Sequence, residues 1–216
     1  MFRLLSIGLD VFSSLAVLLL VMILMQFFFF KYSDMKRKVL VILFSIYLSA
    51  VFSAVGIPSI YSIKFDLSLN LIPIIDIVNS PIEYIKNTVL NIVLFVPFGF
   101  LLPTLWKDFV SIKRTTFAGF FFSLFIEVFQ IATYRTTDID DLITNTVGTL
   151  VGYCIFKVFC KKPVIVKIIS NDDSYRKAEL FIIFIIVFLI MSVIQPLLSD
   201  VLWNYVLGSP LWEAIR

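Results

Sequence analysis

The chain contains no histidine. That absence removes Ser-His-Asp and Cys-His nucleophile systems, His-ligated metals and imidazole bases. Proton transfer, if there is any, has to run through carboxylates, lysine, tyrosine or water. Cysteine is nearly as scarce. Cys154 and Cys160 lie six residues apart on one expected helix and face different sides, which argues against a disulfide between them. Charge is low as well: 15% of the 216 residues are Asp, Glu, Lys or Arg, where a soluble domain carries about a quarter. The G-x-x-x-x-G-K-[ST], G-x-S-x-G and H-E-x-x-H motifs are all missing, and with them the usual signs of nucleotide, serine-hydrolase and zinc-protease chemistry.

Apolar residues fill the space. They make up 60% of the chain, 24 of them Phe, and mean hydropathy is +1.02. So much apolar surface needs an apolar solvent outside the molecule as well as a core within it. The expected fold class is all-α, a polytopic transmembrane helix bundle of about six spans near 8–30, 39–57, 88–106, 115–134, 142–160 and 179–198, each close to the ~20 residues that cross a bilayer. The first is read as an uncleaved span, because its apolar run is too long for a signal peptide and no cleavage site follows. No internal repeat marks a second domain. The chain divides into a first span and cytoplasmic loop (1–38), a four-span core with an outer loop at 58–87 (39–160), and a last part (161–216) made of a cytoplasmic loop, the final span and an interfacial segment with Trp203, Tyr205 and Trp212.

Three connections are basic: Lys31, Lys36, Arg37 and Lys38; Lys107, Lys113 and Arg114; and Lys161, Lys162, Lys167, Arg176 and Lys177, with Lys157 just before them. They alternate with connections poor in Lys and Arg, so they are expected in the cytoplasm and both termini outside. Such short basic loops are orientation signals and do not argue for a nucleic-acid partner. The outer segment 58–87 is broken by Pro58, Pro73 and Pro81, and is expected to lie in the interface or fold back as a cover.

The polar residues within the spans are not scattered. Ser123, Glu127, Gln130 and Tyr134 fall at i, i+4, i+7 and i+11, on one helical face. After the loop Arg135–Asp141, the next span repeats this spacing with Asp141, Asn145, Gly148 and Gly152. The two stripes are expected to face each other at the outer leaflet, the glycines permitting close approach. Asn87 and Asn91 add amides from the third span, where Pro97 is expected to open a carbonyl for a ligand.

Three segments then resemble the VanZ-like membrane proteins: Asn70-Leu71-Ile72-Pro73; the run from Asn91 through Pro97 and Gly99 to Pro103; and Ser123, Glu127, Gln130, Arg135, Asp138, Asp140, Asp141, Asn145 and Gly148 through Gly152-Tyr153. The resemblance covers roughly 40–160 and leaves the first and sixth spans outside. It implies a bacterial plasma-membrane protein whose relatives are linked to reduced sensitivity to teicoplanin-type antibiotics, and supplies no mechanism.

The expected site has Glu127, Arg135 and Asp141 as its catalytic set, with Glu127 as acid/base and Arg135 gripping a phosphate or carboxylate. Asn91, Gln130, Asp138 and Asn145 would bind substrate. Asp138, Asp140 and Asp141 would ligate Mg²⁺ or Ca²⁺ if a divalent cation is used. The expected partner is a membrane lipid, an anionic lipid-linked cell-wall precursor or a glycopeptide antibiotic. Two other readings stay open: a proton-coupled transporter or flippase using Asp10 and Glu127, and a non-catalytic antibiotic-binding or envelope-organising protein.

Overall fold

A computed structural model describes residues 2–28, 34–56, 69–70, 80–131, 137–161, 165 and 177–207. Long helices occupy each expected position: α1 (Phe2–Phe28), α2 (Met35–Val55), α3 (Pro81–Leu105), α4 (Ile112–Gln130), α5 (Ile139–Phe159) and α6 (Lys177–Leu189). A π turn at Ile190–Ile194 carries α6 into α7 (Gln195–Leu207), so the last helix runs past the expected end at 198. The stretches Met35–Val55, Pro81–Leu105, Ile139–Phe159 and Ala178–Val201 are long and apolar enough to cross a membrane. The 19-residue α4 returns the chain between α3 and α5, which run parallel with Ile92 beside Gly148 and Val96 beside Gly152.

Local chemistry sets several helix ends. Gly56 closes α2 in the left-handed region (φ 70°), donating its N–H to Phe52 O at 3.0 Å, a conformation that only glycine adopts without a Cβ penalty. The start of α3 corrects the sequence reading, which took Pro81 as a break. Pro81 occupies the first turn, where its missing N–H is no loss, and Glu83 follows in the same turn. The helix therefore begins seven residues before the expected start at 88, about 10 Å further out. Near Pro97, Leu94 O accepts the Tyr47 hydroxyl at 2.8 Å, one residue beyond the Val93 carbonyl that the missing proline N–H leaves without its helical donor.

The basic stretch 31–38 is also corrected. Lys36, Arg37 and Lys38 lie in the first turn of α2, and Arg37 is buried. Its guanidinium donates twice to Glu179 of α6, once at 2.8 Å, and reaches Leu105 O at 3.3 Å. Trp106 Nε1 donates to the same carboxylate at 3.2 Å.

Phenylalanine fills the core. Phe44 and Phe52 of α2, Phe95 and Phe98 of α3, and Phe122 of α4 are buried together. Phe98 stacks on Phe122 at 5.0 Å, and Phe52 meets Phe184 edge-on at 5.6 Å. Lipid tails are as apolar as these rings, so burying them gains little by expelling water. Close packing and ring geometry supply the attraction instead.

The closest helix pair is α3 with α5. A Cβ on Gly148 or Gly152 would overlap the carbonyl oxygen of Ile92 or Val96, and one on Gly99 would overlap Thr149 O. The Gly148-x-x-x-Gly152 face thus serves α3 rather than α4, the neighbour expected from the short loop. Thr149 touches Gly119 of α4, so α5 is wedged between both.

Candidate functional site

Because α3 and α5 run parallel, their N-termini emerge at the same end of the bundle. Carboxylates are favoured there by the partial positive charge of the helix ends. Glu83 sits in the first turn of α3, and Asp140 and Asp141 in the first turn of α5. Along α3, Ser80, Glu83, Tyr84, Asn87, Thr88 and Asn91 fall at i, i+3, i+4, i+7, i+8 and i+11, one polar stripe. Opposite it stand Asp138, Asp140, Asp141 and Thr144. Together these residues, Asn91 excepted, line a cavity of about 280 Å³.

Directed hydrogen bonds hold the frame. Asn91 Nδ2 donates to Asp141 Oδ1 at 2.5 Å, tying the two helices across the base of the stripe. Asp138 is the N-cap of α5, its Oδ1 accepting from Asp140 N at 2.9 Å. Glu127, buried in α4, accepts from the backbone N–H of Asp138 at 3.0 Å. Leu69–Asn70 pairs in parallel with Thr137–Asp138, Asn70 opposite Asp138, which brings part of the outer segment to the rim. Most of the expected interfacial cover (58–68 and 71–79) lies outside the described residues, as do Tyr134 and Arg135.

The expected stripes meet in part. Asn145 Nδ2 donates to Ser123 Oγ at 2.9 Å inside the bundle, and Asn145 Oδ1 is buried with no described partner. Gln130 turns away from the cavity to Val55 O of α2 at 3.1 Å. Asp138, Asp140 and Asp141 all line the cavity, yet no three acidic groups among the described residues are placed to hold a metal ion. Two of these carboxylates have structural tasks already, Asp138 as a cap and Asp141 as the partner of Asn91.

Sequence reasoning missed Ser80, Glu83, Tyr84, Thr88 and Thr144. The signal was present: a proline in a first turn, an acid two residues on, and a polar stripe running on to Asn91. With four carboxylates and no Lys or Arg among the described lining residues, the cavity suits hydroxyl and ammonium groups. Tyr84 adds an aromatic ring.

Apolar helices of spanning length around a phenylalanine core, with a polar cavity at one end, define a multi-pass helical membrane protein. The chain belongs to the VanZ/LLP1 family, whose model matches residues 12–160. The match takes in most of α1, which the sequence reading had left outside, and every helix that builds the site. It stops before α6. The chain is 34% identical over 90 residues to Protein VanZ of Enterococcus faecium, covering 41% of this chain and 52% of that protein. It thus spans about half the length of this curated relative. No solved structure matches it.

Proposed function

We propose that this protein works in the bacterial plasma membrane, with the carboxylate-lined cavity on the extracytoplasmic side. There it binds the sugar- or amine-bearing head group of a cell-envelope lipid or lipid-linked precursor. The cavity between α3 and α5 carries this reading: about 280 Å³, polar on both walls, and set at the ends of two helices of spanning length. The concentration of basic residues toward the other helix ends supports the orientation, with both termini outside. The anionic ligand of the sequence reading is narrowed accordingly. Four carboxylates favour donors, and Arg135, the expected phosphate grip, lies outside the described residues. The link to teicoplanin sensitivity belongs to the same proposal and rests on family membership. Binding alone is proposed, with no reaction.

The test is complementation of a null strain with wild type, Glu83→Gln, Asn87→Ala or Asp141→Asn, scoring teicoplanin susceptibility beside membrane abundance. Protection by wild type and failure of the three variants at normal abundance is the expected result. Full protection by all three would remove the cavity from the function. If wild type gives no protection, the antibiotic link does not extend to this chain.

A further inference from the structure

Glu127 is buried in α4, 3% exposed, and is not among the described residues that line the acidic cavity. A bond from it nonetheless ends at the cavity wall, where Glu127 Oε2 accepts the backbone N–H of Asp138 at 3.0 Å. Asp138 is the N-cap of α5, and Asp140 and Asp141 follow it in the first turn. An N-cap residue has an N–H of its own that needs an acceptor. An acid at the third helical position commonly supplies one by reaching back, which closes a capping box. In α5 that position is Asp141, whose Oδ1 instead accepts from Asn91 Nδ2 of α3 at 2.5 Å.

We infer that Glu127 is a positioning residue of the cavity, closing the capping box of α5 from a neighbouring helix. The inference rests on the reading of the cavity as a ligand site and gives Glu127 a task within it. Glu127 holds Asp138 and, through Asp138, the first turn of α5. Because α4 supplies the acceptor, Asp141 is released to meet Asn91 and to stand on the cavity wall. The register this needs is set deeper in the bundle. Gly119 lies against Thr149, and Ser123 Oγ accepts from Asn145 Nδ2 at 2.9 Å. Glu127 falls one turn further along the same face of α4. Asn70 sits opposite Asp138 in the short parallel pairing, so the outer segment takes its seat from the same residue. What the site takes from Glu127 is an acceptor oxygen rather than a transferable proton.

Amide exchange and complementation, both on the full chain, provide the test. Glu127→Gln keeps an acceptor oxygen at the same reach, whereas Glu127→Leu keeps most of the bulk and removes the acceptor. In detergent, exchange over residues 138–142 is expected to quicken about tenfold in Glu127→Leu, as a hydrogen bond to a charged group is lost. In Glu127→Gln it should stay within about twofold of wild type, and residues 150–158 of α5 should not change in either. In the null strain, Glu127→Gln is expected to protect against teicoplanin as wild type does, and Glu127→Leu to fail at normal membrane abundance. Loss of protection in Glu127→Gln with wild-type exchange would show that the charge or the proton matters, and would overturn the inference. So would exchange in Glu127→Leu that matches wild type or quickens equally along all of α5. If wild type gives no protection, the ligand reading of the cavity fails, and the exchange comparison alone decides whether Glu127 holds the helix start.

Discussion

Two sets of carboxylates at opposite ends of this bundle are treated in opposite ways. At the basic end Glu179 is 1% exposed and enclosed by Arg37 and Trp106. At the acidic end Asp138, Asp140 and Asp141 stand around an open cavity, held by the Asn91 amide and by backbone N–H groups at a helix start. An enclosed ion pair has no surface left for a ligand and acts on the fold. Asp138 and Asp141, whose described bonds run to a backbone N–H and an amide, line a cavity where a ligand can meet them. Acid content alone therefore does not locate function in a membrane bundle. Enclosure against an arginine and an indole in one case, and a place on a cavity wall in the other, separate the two.

Breaking the comparison at its closed end should have the largest effect. Arg37→Ala leaves Glu179 buried beside one indole N–H, and is expected to cost about 3–5 kcal/mol, whereas replacing both residues with Met or Leu is expected to restore most of it. Thermal unfolding in detergent reads both, and equal loss in the single and double variants would show that the pair is not the cause. Gly152→Ala sets a methyl against the Val96 carbonyl, an overpacking worth roughly 1–3 kcal/mol, and should lower membrane abundance and protection together. An unchanged melting temperature there would mean that the helices part without cost.

Smaller effects sharpen the other end. Asp138→Ala removes the α5 cap at about 1 kcal/mol, and faster amide exchange confined to Asp140 and its neighbours is the signature to look for. Asn91→Ala is expected to cost about 1 kcal/mol in stability yet abolish protection against teicoplanin at normal abundance. A variant that loses protein and protection in equal measure would place Asn91 with the structural residues of the closed end.

Hydropathy made the helices legible, because a spanning segment has to be long and apolar whatever it packs against. Residues in register on one helix were legible too. Ser123 with Asn145 followed from polar stripes expected to face each other, whereas Asn91 was expected only at the same membrane side and its bond to Asp141 came from the structure. The Arg37–Glu179 pair was not, since 142 residues separate its members and an arginine near a span end reads equally well as an orientation signal. Glu83 and Tyr84 were lost because proline was weighed as a breaker, although at the first turn of a helix it costs nothing. The destination of the glycine face was invisible for another reason. A short loop makes α4 and α5 neighbours but does not say which neighbour comes closest.

The π turn at Ile190–Ile194 has a genetic consequence. Gln195 donates its N–H to Ile190 O, five residues back, so the helix carries one residue more than α geometry accommodates. Each helical residue turns the face by about 100°, and the surplus is what lets α6 address α2 while α7 addresses α1. Deleting one codon in this stretch would relax it to plain α-helix and swing α7 away from α1. Inserting one codon further along would compensate for the deletion. The reading frame of this helix face is thus inherited as a length, and most single substitutions within the turn leave it untouched.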